Sequence, residues 1–119
     1  MFTGIIEKVG QITYINKTKD LHSISIRAKN FLDDAKIGDS ISVNGTCLTV
    51  TTIDKDIFTV DVVKESLERT NLKTLHIESF INLERAMKAS SRFDGHIVQG
   101  HVEGLAKILS INDAGDNFV

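Results

Sequence analysis

The sequence predicts an all-β fold, a closed six-stranded antiparallel Greek-key barrel with one or two short helices. Short segments rich in β-branched residues alternate in polarity with a period of two, which is typical of half-buried strands. Tight-turn signals separate these segments. About six strands within about 97 residues favour a closed barrel, because closure removes the exposed edges that an open sheet would leave.

The strands are predicted from these patterns in chain order. An opening strand runs from Gly4 to Ile15, and further strands cover residues 23–28, 40–43, 58–63 and 80–84. The pair Asn44-Gly45 supplies the positive φ angles of a tight hairpin turn. It therefore predicts that the strand ending at Val43 pairs with one beginning near Cys47. Residues 54–56 predict a second turn.

Two short stretches have helical character. Residues 30–36 could form a helix whose first turn is capped by Asn30. Residues 64–70 predict a second helix, which ends before Asn71.

Composition places the chain among soluble globular proteins. It has 119 residues, 41% hydrophobic and 25% charged, with a formal net charge of −2. Its basic residues are scattered, which disfavours binding to nucleic acid. The one cysteine excludes an internal disulfide, the N-terminus lacks a signal-peptide pattern, and no apolar run could span a bilayer. We expect a cytoplasmic protein with no membrane partner.

The chain resembles itself at an offset of 96 residues. Six identities fall within about twenty positions, against one or two expected by chance; they are Gly4 with Gly100, Glu7 with Glu103, Ile12 with Ile108, Ile15 with Ile111, Asn16 with Asn112 and Asp20 with Asp116. A coincidence of common strand residues is the alternative. The offset predicts a barrel over 1–97 and the truncated beginning of a second, homologous barrel over 98–119.

Taken one at a time, the candidate site residues each allow a structural and a functional interpretation. Cys47 is a small core hydrophobe or a nucleophile, and the sequence shows neither a depressed pKa nor a nearby base for the second role. Hydroxyls at Ser40 and Thr49 face solvent or line a polar pocket. His96 and His101 are five apart, which does not match the usual helical metal pairs, so zinc is disfavoured. Residues 65–70 could be a charged helix face with a salt bridge from Arg69.

Five segments together resemble the riboflavin synthase α chain in order and spacing. They are residues 1–7 (MFTGIIE), 43–50 (VNGTCLTV), 64–72 (KESLERTNL), 82–86 (NLERA) and 95–102 (GHIVQGHV). The resemblance covers the entire sequence, and the duplicated barrel of that family agrees with the 96-residue offset.

The resemblance implies an activity and a set of site residues. Members of the family convert two molecules of 6,7-dimethyl-8-ribityllumazine into riboflavin and 5-amino-6-ribitylamino-pyrimidinedione, with no cofactor and no metal. Positions that match the family's ligand contacts are Gly4, Ile5, Ile6, Cys47, Leu48, Thr49, Asp61, Val62, Val63, Lys64, Glu65, Ser66, Gly100, His101 and Val102. Positions that match its groups of possible catalytic importance are Phe2, Thr3, Ser40, Cys47, His96 and His101.

The resemblance also implies how the barrels assemble. A competent site in the family forms between the N-terminal barrel of one subunit and the C-terminal barrel of its neighbour, within a homotrimer. This sequence lacks most of the second barrel, so we expect it to bind lumazine and riboflavin as a homodimer with little or no turnover. A non-catalytic, antenna-type lumazine- or flavin-binding protein of the same fold is the alternative. A generic oligonucleotide-binding barrel would need basic and aromatic surface that the sequence does not show.

Overall fold

Six antiparallel strands close into a barrel in the order β1-β2-β5-β4-β3-β6, which confirms the predicted fold class. The computed structural model describes residues 1–88, 95–115 and 117–118. The strands are β1 (Lys8–Lys17), β2 (Leu21–Arg27), β3 (Ser40–Val43), β4 (Thr46–Asp54), β5 (Ile57–Val63) and β6 (Phe80–Arg85). The helix α1 (Lys64–Arg69) and a 3-10 helix (Asn71–Thr74) connect β5 to β6, and two short strands, β7 (Asp113–Ala114) and β8 (Asn117–Phe118), pair with each other near the end of the chain.

The barrel interior is filled by the apolar residues of the alternating pattern. Ile26, Phe58 and Val60 are completely buried, and the apolar partners in β3 and β6 lie against them. Leu67 of α1 and Leu72 of the 3-10 helix join this cluster. Each such side chain contributes about 1.5–3 kcal/mol when it is removed from water. The period-two pattern was therefore a correct guide to the core.

Both predicted turns are present. Asn44 and Gly45 have φ angles of 47° and 84° and join β3 to β4. Lys55, with a φ of 55°, lies in the turn between β4 and β5. The helix predicted near residues 64–70 is confirmed as α1.

Two predictions are wrong in part. Residues 30–36 form turns instead of a helix, because Asn30 adopts a left-handed φ of 59° and both Phe31 and Leu32 are buried in the core. The opening strand begins at Lys8 instead of Gly4. Gly4 has a φ of 85°, which turns the preceding residues away from the ladder.

The segment after the barrel is largely exposed. Residues 101–112 form no helix or strand, and Leu105, Ile108, Leu109 and Ile111 are 62–91% exposed. Within the described part of the chain, no helix has both the length and the apolar character to cross a membrane.

Candidate functional site

The ladder between β4 and β5 opens at one end of the barrel. Its last pair is Val50 with Val60, beside a bulge in β4. Continuing the same antiparallel register would bring residues 47–49 opposite residues 61–63, yet among the described residues these two stretches are not paired. The strands therefore part at two of the stretches that the sequence singled out as ligand contacts.

Backbone groups on both sides face this opening. Successive residues of a strand direct their N–H and C=O groups to alternate sides. Val50 is hydrogen-bonded to the residues that precede β3, so Thr49 directs its groups toward β5. Lys64 is hydrogen-bonded to the residue that precedes β2, so Val63 directs its groups toward β4. The N–H groups of Thr49 and Val63 therefore point into the opening from opposite strands.

The helix α1 follows the opened end of β5. Leu67 is buried and anchors the helix to the core. The Glu65 carboxylate lies in solvent and forms an ion pair with Arg69 at 3.3 Å, as the charged-face interpretation of this stretch predicted. Ser66 is half-buried, and its C=O accepts a hydrogen bond of 2.6 Å from the Thr70 hydroxyl. Glu65 and Ser66 come soon after Val63, the last residue on the β5 side of the opening.

Gly100 lies against the unpaired part of β4. The N–H of Cys47 donates to the C=O of Gly100 at 2.9 Å. A Cβ atom on Gly100 would lie 2.7 Å from the Cys47 Cβ atom, and the φ of Gly100 is +80°. Only glycine fits both the contact and the conformation. His101, the next residue, is exposed and is held near the opening by this contact.

An N-terminal arm, residues 1–6, lies on the outside of the barrel. Phe2 is 1% exposed, and its N–H and C=O form reciprocal hydrogen bonds with Val98 at 2.7 and 2.8 Å. The N–H of His96 donates to the C=O of Thr3 at 3.1 Å. The arm and residues 96–98 therefore form a short antiparallel pair.

A buried carboxylate fixes this arm to β6. Glu84 is 7% exposed and accepts three hydrogen bonds: from the N–H of Thr3 at 2.6 Å, from the Thr3 hydroxyl at 3.0 Å and from the N–H of Gly4 at 3.0 Å. Sequence reasoning gave Glu84 no role. Its alternation with Ile81 and Leu83 places it on the outer face of the barrel, where Thr3 and Gly4 of the arm pack over it.

The predicted site residues fall into two groups. One is continuous through hydrogen bonds, strand pairing and chain connection, and it contains Phe2, Thr3, Gly4, Ser40, Cys47, Leu48, Thr49, His96, Gly100 and, as the residue after Gly100, His101. The other is Asp61 to Ser66, across the opening: residues 61–63 pair with β2, Lys64 is bonded to Asp20, and Glu65 and Ser66 lie in α1. The side chains of Leu48 and Val62 point into the core, and the alternation that directs Thr49 and Val63 into the opening turns the backbone groups of Leu48 and Val62 toward β3 and β2. Ile5, Ile6 and Val102 are at least partly exposed beside the first group.

A concavity of about 820 Å³ adjoins the arm and includes Thr3, Ser40 and Glu84 among its walls. Arg85 forms ion pairs there with Glu7 at 3.0 Å and with Asp34 at 3.3 Å. The hydrogen bonds from Arg85 lower the pKa of the Glu7 carboxyl, although burial opposes this effect. This network is a second feature that sequence reasoning missed, since nothing in the local pattern brings residues 7, 34 and 85 together.

The chain matches the lumazine binding domain family over residues 3–86. Riboflavin synthases are among its relatives: that of Actinobacillus pleuropneumoniae is 50% identical over 96% of this chain and 53% of its own length. That of Bacillus subtilis is 49% identical over 95% and 53%, and that of Schizosaccharomyces pombe is 45% identical over 98% and 56%. The chain thus spans about half the length of these relatives.

Solved structures of LumP have the same fold. LumP complexed with 6,7-dimethyl-8-(1'-D-ribityl) lumazine superposes with a TM-score of 0.86 at 27% identity, covering 99% of this chain and 66% of LumP. LumP complexed with riboflavin gives the same TM-score and identity, with 64% of LumP covered.

Proposed function

The chain belongs to the lumazine-binding domain family, and from that premise we propose that it is the N-terminal ligand-binding barrel of a riboflavin synthase. Its ligands are 6,7-dimethyl-8-ribityllumazine and riboflavin. The riboflavin synthase relatives at 45–50% identity support the parent activity, and the LumP complexes support the ligands. The parent enzyme moves a four-carbon unit between two lumazines, and a cytoplasmic location is part of this proposal.

The single observation that carries the proposal is the opened β4–β5 ladder. A pteridine has a flat polar edge with hydrogen-bond donors and acceptors, and so does an unpaired strand. The ligand would take the place of the missing strand pairs, with its polar edge bonded to the backbone of Thr49 and Val63. The side chains of Glu65 and Ser66 would bind the ring or the ribityl hydroxyls from the α1 side.

The proposed catalytic groups lie on two connected parts of the molecule. Ser40, Cys47 and His101 belong to β3, to β4 and to the segment beside the opening, whereas Phe2, Thr3 and His96 lie where the arm meets residues 96–98. Holding two substrates in one geometry supplies much of the acceleration in a reaction of this kind. Ser40 and Cys47 lie on neighbouring strands near the reacting atoms, and His101 orients a substrate or carries a proton. Phe2 and Thr3 act through the arm, and His96 acts through the hydrogen bond from its backbone N–H to Thr3.

Residues 98–119 would begin a second barrel related to the first. Phe2 and Val98, which form the reciprocal hydrogen bonds, are 96 residues apart, the offset of the internal repeat. Gly4 and Gly100 occupy equivalent positions and share φ angles of 85° and 80°. Equivalent residues that pair with each other are what a local two-fold axis between two barrels would produce.

A polypeptide of these 119 residues is therefore expected to form a homodimer, in which a second copy of the barrel takes the place of the homologous one, and to have little or no turnover. The full-length protein would be a homotrimer. Sedimentation of the ligand-saturated polypeptide should give a dimer mass. A monomer mass would refute this arrangement.

The test of function is titration with 6,7-dimethyl-8-ribityllumazine, followed by its fluorescence, with amide NMR spectra of the same samples. Ligand should shift the amide signals of Thr49 and Val63 and slow their hydrogen exchange. The amides of Val50 and Lys64, already hydrogen-bonded within the fold, are internal controls. Shifts confined to the Phe80–Asn82 face of the barrel would place the ligand elsewhere and refute the proposed site.

The second candidate is a lumazine- or flavin-binding protein without catalysis, and the LumP complexes support the binding part of it. A full-length version of the chain distinguishes the two. Riboflavin formed from lumazine over time supports the synthase. Tight binding of lumazine with no formation of riboflavin supports the antenna-type protein.

A further inference from the structure

We propose that Glu84 is a positioning residue for the ligand site, whose buried carboxylate fixes the N-terminal arm and, through the arm, the segment that bears Gly100 and His101. The inference rests on the proposed function. Glu84 itself lies in β6, on the far side of β3 from the opening. It therefore acts on the ligand through other residues.

The Glu84 carboxylate holds the arm through hydrogen bonds. Both carboxylate oxygens are used: Oε2 accepts from the N–H and the hydroxyl of Thr3, and Oε1 accepts from the N–H of Gly4. Hydrogen bonds to an ionised carboxylate are shorter and stronger than those between neutral groups. Two consecutive backbone N–H groups cannot both be satisfied in this way by an amide side chain, because its nitrogen donates.

Residues 96–100 connect the arm to the opening. Thr3 accepts a hydrogen bond from His96, and Phe2 forms its reciprocal pair with Val98. Two residues further on, Gly100 accepts from the N–H of Cys47. The segment over residues 96–100 is thus held at one end by the arm and at the other by β4.

Close packing makes this connection stiff. A Cβ atom on Gly95 would lie 2.4 Å from the C=O oxygen of Thr3, so the segment lies directly on the arm. Added side-chain volume at Gly100 meets Cys47 in the same way. Since residues 96–100 are closely packed at both ends, a shift of the arm also shifts Gly100 and His101 beside the ligand.

The test compares Glu84→Gln with Glu78→Gln, which removes the same charge from an exposed side chain. In the ligand-free protein, Glu84→Gln should speed hydrogen exchange of the Thr3, Gly4 and Val98 amides about tenfold or more and leave the core amides of β5 unchanged. Lumazine affinity should fall about tenfold. Glu78→Gln should change neither quantity.

A double-mutant comparison separates positioning from general stability. In a chain that lacks residues 1–4, Glu84→Gln should reduce lumazine affinity no further than Glu78→Gln does. An equal additional loss in the shortened chain would show that Glu84 does not act through the arm and would overturn the proposal. If Glu84→Gln does not fold, Glu84→Asp keeps the charge but shortens the reach, and the same comparisons apply.

The outcomes distinguish this inference from the proposed function. If the unmodified chain binds no lumazine, the function proposal fails, and the exchange rates of the arm still decide whether Glu84 fixes it. If the chain binds lumazine but Glu84→Gln leaves affinity and exchange unchanged, only the role of Glu84 is refuted.

Discussion

Gly100→Ala should weaken lumazine binding while leaving the barrel folded. The methyl group would be built 2.7 Å from the Cys47 Cβ atom and 2.9 Å from the Cys47 nitrogen. Real Cβ atoms do not approach so closely, so the segment must move away from β4. The hydrogen bond from Cys47 to Gly100 breaks when it does.

The size of the effect follows from two contributions. An alanine with a φ of +80° costs about 1–2 kcal/mol relative to glycine. Loss of the Cys47 hydrogen bond costs about 1 kcal/mol more. The sum of about 2–3 kcal/mol destabilises only the position in which residues 96–100 lie against β4. If the ligand requires that position, lumazine affinity falls by about 30- to 150-fold.

The assay is fluorescence titration with lumazine, together with thermal unfolding of each variant. Gly104→Ala is the matched control, because its added methyl meets no atom within 4 Å. Gly100→Ala should lower affinity by the stated factor with little change in the melting temperature. Affinity equal to that of Gly104→Ala would refute the reasoning that Gly100 belongs to the ligand site.

Two further predictions concern stability. Thr46→Val should raise the free energy of unfolding in urea by about 1 kcal/mol, because the buried Thr46 hydroxyl has no hydrogen-bond partner among the described residues. A decrease would mean that the hydroxyl is bonded in solution. Arg85 lowers the pKa of Glu7 in the folded state. The contribution of this ion pair to the free energy of unfolding is therefore fully present above the ordinary pKa of 4.5 and is lost as the pH falls through the folded-state pKa. Between pH 6 and pH 3, the free energy of unfolding obtained from thermal melts should fall by about 0.5–1 kcal/mol less for Glu7→Gln than for the unmodified chain. Parallel plots of unfolding free energy against pH for the two proteins would contradict this.

Local patterns were sufficient for most of the barrel. The alternation of apolar residues located the strands and their inward faces, since one face of every strand must be buried whatever its partners are. The Asn44-Gly45 turn paired β3 with β4 because so few residues accept two successive positive φ angles. The same local reasoning failed at residues 30–36, where burial of Phe31 and Leu32 decides the backbone in place of helix propensity.

The site depended on more than pattern. The sequence by itself determined the strand pattern, the turns and, through five matching segments, the stretches expected to contact a ligand. Only the tertiary structure decided that two of these stretches face each other across an opened ladder, because strand register is a property of paired segments far apart in the chain. It alone showed that Glu84, on the outer face of its strand, is buried by the N-terminal arm, since burial depends on what packs over a residue and not on its place in the sequence.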